Sequence, residues 1–195
     1  MRDLPIVLAN LAWLVWSQTC PAAPIVVSTH REEEVLVVEA DTDLGVTNQQ
    51  AWGVLTDYAH LSEFVPDLTE SRVVERVGDR VVVEQKGGAS FLFFRFPISL
   101  RMEIEERPPR EIVAKAVSGS FKEMTGRYGL EPSETGVKLH YTGRFIPNFG
   151  VPRAISNAAL KRAVERQFGA MVREIERRGG ASKEIDASAV PPSKQ

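Results

Sequence analysis

The chain has 195 residues, 43% of them hydrophobic and 26% charged, with a formal net charge of -2 and one cysteine, Cys20. This is the composition of an ordinary globular domain, its charge offers no basic footprint for nucleic acid, and one thiol excludes an intramolecular disulfide or a cysteine-based metal cluster. The fold is therefore expected to rest on its apolar core alone.

Residues 4–16 are almost uninterrupted apolar sequence behind Arg2, and Ser17, Thr19, Cys20, Ala22 and Ala23 follow as a small-residue zone. That pattern predicts a signal peptide, because roughly 13 apolar residues fall short of the about 20 that a membrane span needs. The expected location is outside the cytoplasm, periplasmic or secreted. The alternative is an uncleaved segment anchoring the chain at a membrane. Ser17-Gln18-Thr19 lacks the apolar and small residues that precede a lipidated cysteine. Residues 1–30 are set aside as leader.

Beyond the leader, residues 35–40 form a β-branched run that predicts a first strand. Thr47 and Gln50 have the spacing of a capping box, and Ala51, Val54, Leu55 and Tyr58 then share one face of a short helix. A second short helical turn ends before Pro66. From Glu70 onward the apolar period changes from 3.6 to 2. Strands are predicted over residues 73–77, 81–86, 95–106 and 112–118, with Gly78-Asp79 and Pro108-Pro109 at turns. Two further alternating runs follow, through Met124, Gly126, Tyr128 and Leu130, and through Val137, Leu139, Tyr141, Gly143 and Phe145. That makes about seven strands.

Residues 152–178 return to helical spacing, with Val164, Phe168, Met171, Val172 and Ile175 on one stripe and Lys161, Arg162, Arg166, Arg173 and Arg177 off it. Pro152 suits the first turn and Gly179-Gly180 is expected to stop the helix. Residues 179–195 are small, polar and proline-bearing, and predict a disordered tail. One long apolar stripe needs a broad partner, and the alternating strands offer one. The expected fold class is α+β: a curved antiparallel sheet wrapped around a long C-terminal helix, in one domain over residues 31–178.

Several of these residues also carry a resemblance. Asp57-Tyr58, Phe64 and Pro66, the hairpin at residues 105–109, Gly126-x-Tyr128-x-Leu130-x-Pro132 and the arginine-bearing final helix resemble the START-like (SRPBCC, helix-grip) superfamily. The resemblance is strongest to its polyketide cyclase/dehydrase and coenzyme Q-binding branch, and it covers about residues 34–178. It implies a helix-grip fold around a cavity. It supplies no catalytic set.

The inward face of the expected sheet is apolar, and Ala114, Ala116, Gly126 and Gly143 on it are small enough to leave its concavity partly unfilled. With the resemblance, this predicts a cavity lined by Gln85, Phe94, Phe96, Ile98, Leu100, Met102, Ala114, Ala116, Met124, Tyr128, Tyr141, Phe168 and Met171. Its polar groups are Gln85, Tyr128, Tyr141 and Ser118, which offer little for general acid–base chemistry. His140 falls on the outward face with Lys138 and Arg144. Asp57 reads as a helix-end tie. No catalytic residue, metal site or cofactor is expected. The predicted function is non-catalytic binding or transport of a hydrophobic small molecule such as a lipid, polyprenyl quinone or polyketide, with transient membrane contact and no nucleic acid. The alternative is a polyketide aromatase/cyclase.

Overall fold

The computed structural model describes residues 24–91, 94–148 and 157–188. The first two strands, β1 (Val26–Glu32) and β2 (Val35–Leu44), form a hairpin turned at Glu33, which adopts a left-handed φ of 56°. β1 lies mostly within the residues set aside as leader, so the sheet has eight strands rather than about seven. Its alternation of Val27, Thr29 and Arg31 with Ser28, His30 and Glu32 carries too few apolar residues to stand out in the sequence. Backbone pairing to β2, the buried Val27 side chain and a bond from Thr29 to the start of the C-terminal helix hold it at the sheet edge.

Thr47 caps α1 (Asn48–Leu55) as the spacing predicts. The Thr47 hydroxyl accepts from the Gln50 backbone N–H at 3.2 Å, and the Thr47 N–H donates to Gln50 Oε1 at 2.9 Å. After a 3-10 turn at Tyr58–His60 and the single turn of α2 (Leu61–Phe64), the chain enters a meander. Its strands are β3 (Leu68–Val77), β4 (Arg80–Phe91), β5 (Phe94–Arg107), β6 (Glu111–Gly119), β7 (Phe121–Ser133) and β8 (Gly136–Pro147). All pairs are antiparallel, in the order β1-β2-β8-β7-β6-β5-β4-β3. The last strand of the meander thus returns to the N-terminal hairpin.

The helix α3 (Asn157–Ser188) crosses the concave face. Its 32 residues span about 48 Å. The expected start at Pro152 lies outside the described residues. The expected stop at Gly179-Gly180 is corrected, because α3 continues through both glycines to Ser188 and residues 179–188 are helical rather than disordered. Gly179 is a point of close packing instead. A Cβ built there would meet Val46 Cγ1 at 2.4 Å, and Gln50 Nε2 donates to the Gly179 carbonyl at 3.4 Å.

The charged face of α3 is tied to the 3-10 turn. Arg178 Nη1 donates to Asp57 Oδ2 at 2.7 Å and Arg178 Nε to Glu174 Oε1 at 2.6 Å, while Arg177 makes two further bonds to Glu174. Arg178 also lies over the Phe64 ring, 5.7 Å from its centroid. The Asp57 carboxyl is further bonded to His60 Nδ1 at 2.5 Å. Burial pushes the Asp57 pKa up, but the bonds from His60 and Arg178 outweigh it and leave the pKa lowered. Asp57 is therefore the tie that its sequence position suggests.

Apolar packing is complete at one end of the concave face. Ala51, Trp52, Val54 and Leu55 of α1 meet Val172 and Ile175 of α3, with Leu44, Val81, Val83, Ile104, Val137 and Leu139 beneath them.

The two glycines should respond oppositely to alanine. Alanine is favoured over glycine inside a helix by about 1 kcal/mol, and nothing lies within 4 Å of a Cβ at Gly180. Gly180→Ala should therefore raise stability in urea unfolding. Gly179→Ala should lower it, because overpacking costs about 1–3 kcal/mol; a stabilised Gly179→Ala would mean that α3 does not press on Val46.

Glu174 supplies a pH test. The bonded Arg177 holds its pKa down most, burial opposes, and Arg178 adds to the lowering, for a value of about 2 against an ordinary 4.5. Its contribution is complete above pH 4.5 and is lost as pH falls towards 2. In acid titrations of thermal stability, Glu174→Gln should flatten that slope.

Candidate functional site

Past this packed end, the same strands and the same helix surround a cavity of about 340 Å³. Along β4 the inward positions run from buried Val81 and Val83 to Gln85 and Gly87 on the cavity wall, and along β5 from Ile104 and Met102 to Leu100 and Ile98. α3 follows the same course, from Ile175 and Val172 to Val164, Ala163 and Leu160. The boundary is aromatic. Tyr128 and Tyr141 lie 4.6 Å apart between ring centroids, and Phe168 of α3 lies 6.5 Å beyond Tyr141. This stack forms a floor between the core and the cavity.

Gly143 makes the floor possible. A Cβ there would meet the Phe145 ring at 2.5 Å and the Tyr141 hydroxyl at 2.6 Å, so the space that the small residue leaves is taken by aromatic rings. A Cβ at Gly126 would likewise meet the Tyr141 ring at 3.4 Å. The expectation that these glycines leave the concavity empty is therefore corrected.

Gln85, Ile98, Leu100, Met124, Tyr128, Tyr141, Phe168 and Met171 of the expected lining all border the cavity. Met102, Ala114 and Ala116 do not. They share the inward face but join the packed cluster, Met102 as a buried member and the two alanines as partly buried neighbours. Phe96 is half-buried and off the wall. The Phe94 side chain lies outside the described residues. Ser118, an expected polar group, also lies off the wall.

The wall also includes residues that the sequence reading missed. Leu36 and Val38 come from β2, Leu61 and Val65 from the α2 region, and Phe121 packs on Phe145 with centroids 5.8 Å apart. For the strand residues the signal was present: Leu36 and Val38 keep the inward parity of Ala40, and Phe145 that of Tyr141. Which strands close over α3 is not written in any local pattern.

The interior polar groups are few. Gln85 Nε2 donates to Ser71 Oγ at 3.2 Å, and the Ser71 hydroxyl donates to the Tyr58 carbonyl at 2.6 Å, which fixes the Gln85 amide against the wall. Burial pushes the Tyr128 hydroxyl up to about 12. Burial, with the neighbouring Tyr128, also raises Tyr141 well above the ordinary tyrosine value. Neither hydroxyl is a ready acid or base near neutral pH.

A buried carboxylate lies off the cavity. Glu106 continues the inward parity of β5, is 7% exposed, and accepts two bonds from Arg76 at 3.0 and 3.1 Å. Arg76 also stands over the Tyr58 ring, 6.0 Å from its centroid. Burial first, and the Glu106 charge second, push the Tyr58 hydroxyl pKa up. None of Arg76, Glu106 and Tyr58 borders the cavity. His140 is on the outer face, bonded to Asp41 at 2.8 Å and Thr142 at 2.9 Å.

Known proteins share this architecture. No curated protein matches the sequence. Among solved structures, a STAR-related lipid transfer protein from Xanthomonas axonopodis aligns over 77% of this chain and 93% of its own, with 15% identity and a TM-score of 0.63. An aromatase/cyclase from Streptomyces sp. R1128 aligns over 86% and 100%, with 14% identity and a TM-score of 0.55. A protein from Thermus thermophilus aligns over 82% and 99%, with 14% identity and a TM-score of 0.60. At these identities the likeness is one of fold. The sequence itself matches the family described as polyketide cyclase / dehydrase and lipid transport over residues 44–172, more than half of its length. With its helix-grip architecture and its START-like structural neighbours, the chain belongs to the polyketide cyclase / dehydrase and lipid transport family.

Proposed function

We propose that the protein binds a hydrophobic small molecule, a lipid, polyprenyl quinone or polyketide-like compound, in the cavity between α3 and the sheet and releases it unchanged. The observation that carries this reading is the chemistry of the wall. Ile98, Leu100, Phe121, Met124, Val164 and Phe168 make its interior apolar, the polar groups beside the aromatic floor are the Gln85 amide and two tyrosines with raised pKa values, and charged residues on the wall include Arg31, Asp67 and Lys86. Such a wall can orient a carbonyl or hydroxyl of a ligand by hydrogen bonding. The two tyrosine hydroxyls are not poised to move a proton near neutral pH. The family also includes cyclases, and Tyr128, Tyr141 and Gln85 would be the groups facing the substrate in that second reading. Loading from a membrane by transient contact suits an apolar cargo.

Native mass spectrometry of the full chain should detect a lipophile bound one to one. Ala163 borders the cavity from α3. Ala163→Trp should fill the space and weaken binding of a neutral fluorescent lipophile at least tenfold while the melting temperature stays within a few degrees. Unchanged probe binding in a folded Ala163→Trp protein would sink the cavity reading, and cyclisation of a poly-β-ketone analogue by the wild type would replace binding with catalysis.

Export belongs to the same proposal. N-terminal sequencing of protein from its native host should find a start between about residues 20 and 26, just ahead of β1. An intact Met1 in a soluble cytoplasmic fraction would overturn it.

A further inference from the structure

The cavity mouth carries a charge that the packing does not answer. In β1, Val27 is buried, Thr29 is half-buried and Arg31 follows on the same inward side, while His30 and Glu32 face outward and meet each other at 3.2 Å. The Thr29 hydroxyl donates to the carbonyl of Asn157, the first residue of α3, at 3.2 Å, which pins the strand to the helix start. Arg31 therefore stands on the rim of the cavity beside Leu36, its neighbour across the hairpin.

Two cations close to the mouth are neutralised. Lys86, on the cavity wall, is 2.8 Å from Glu70, and Arg166 of α3 is 3.3 Å from Asp67, itself a wall residue. Among the described residues Arg31 has no carboxylate within ion-pairing distance. A guanidinium binds carboxylate and phosphate oxygens with a planar fork of N–H donors. Behind it lies an apolar space of about 340 Å³, at the small end of ligand sites, which run from about 300 to 1,000 Å³. That space suits one aliphatic chain or a compact ring system rather than a two-chain lipid.

We propose that the cavity takes a single-chain amphiphile whose anionic head, a carboxylate or phosphate, is held at the mouth by Arg31 while its apolar body lies between α3 and the sheet. This rests on the binding function proposed above and adds the polarity and the direction of the ligand. The head faces solvent beside β1, and the tail points to the Tyr128–Tyr141–Phe168 floor. The chain's overall charge of -2 does not draw anions, so among the described residues selection for the head is assigned to Arg31.

The test uses the full chain, a neutral naphthylamine probe, and three competitors with the same twelve-carbon tail: dodecanoate, dodecyl phosphate and dodecanol. The wild type should bind at least one anion about fivefold more tightly than the alcohol, the upper end for a solvent-accessible ion pair, and the margin should shrink in high salt. The tighter anion identifies the head as carboxylate or phosphate. Arg31→Gln should erase the margin without changing dodecanol binding or the melting temperature, and Arg31→Lys should keep part of it. Equal binding of all three by the wild type, or a margin that survives Arg31→Gln, overturns the assignment of the head and leaves the apolar cavity in place. If the probe itself does not bind, both this inference and the binding function fall.

Discussion

The fold depends on how closely one end of α3 can approach the chain beneath it. A helix of 32 residues laid on a curved sheet touches it fully only where the side chains between them are short or interleaved. At the C-terminal half, Gly179 lets the helix backbone reach Val46, while Val172 and Ile175 sink among residues of β2, β4 and β8. The Arg178 bonds to Asp57 and Glu174 then fix the rotation of the helix against the 3-10 turn. The helix is thus clamped at one end, and its other half spans a space that the sheet does not fill. Filled core and hollow site are two parts of one groove.

The aromatic floor separates these parts. Close-packed interiors transmit small volume changes, so a ligand pressing directly on Val172 or Ile175 would strain the core. Tyr128, Tyr141 and Phe168 stand between. Arg76 and Glu106 play a different part away from the cavity: they form a bidentate pair in which the carboxylate is buried and the arginine partly open to water. Loss of either partner would leave a charge without its counter-ion in or near the core.

Much of this was legible in the sequence where the signal is local. The capping box at Thr47 and Gln50, the strict alternation of β5, β7 and β8, and the stripe of α3 each follow from short-range periodicity, and together they point to a sheet wrapped on a helix. What was not legible is depth along the groove. Met102 and Leu100 share one face of β5 and one buried cluster, yet only Leu100 also borders the cavity, because the position of the floor decides which of them meets it. Small residues misled in the same way. Gly143 reads as empty space until the rings of Tyr141 and Phe145 are placed over it, and Gly179 reads as a helix stop until Val46 is placed against it. β1 escaped because an edge strand with alternate polar residues has almost no apolar signature, although it brings Arg31 to the mouth. The export signal and the start expected for α3 both fall outside the described residues.

The aromatic floor also bears on how such a protein can diverge. Val54, Val137 and Ile175 are buried in the core and do not border the cavity, while Leu36, Met124 and Leu160 line the cavity and lie outside the fully buried cluster. Substitutions at Leu36, Met124 or Leu160 can alter the shape of the chamber with little effect on the stability of about 5–15 kcal/mol typical of a domain. Ligand choice is thereby free to drift at these positions under a scaffold held largely by others. That division of labour is a physical route by which one architecture can serve both a lipid transfer protein and an aromatase/cyclase, 15% and 14% identical to this chain.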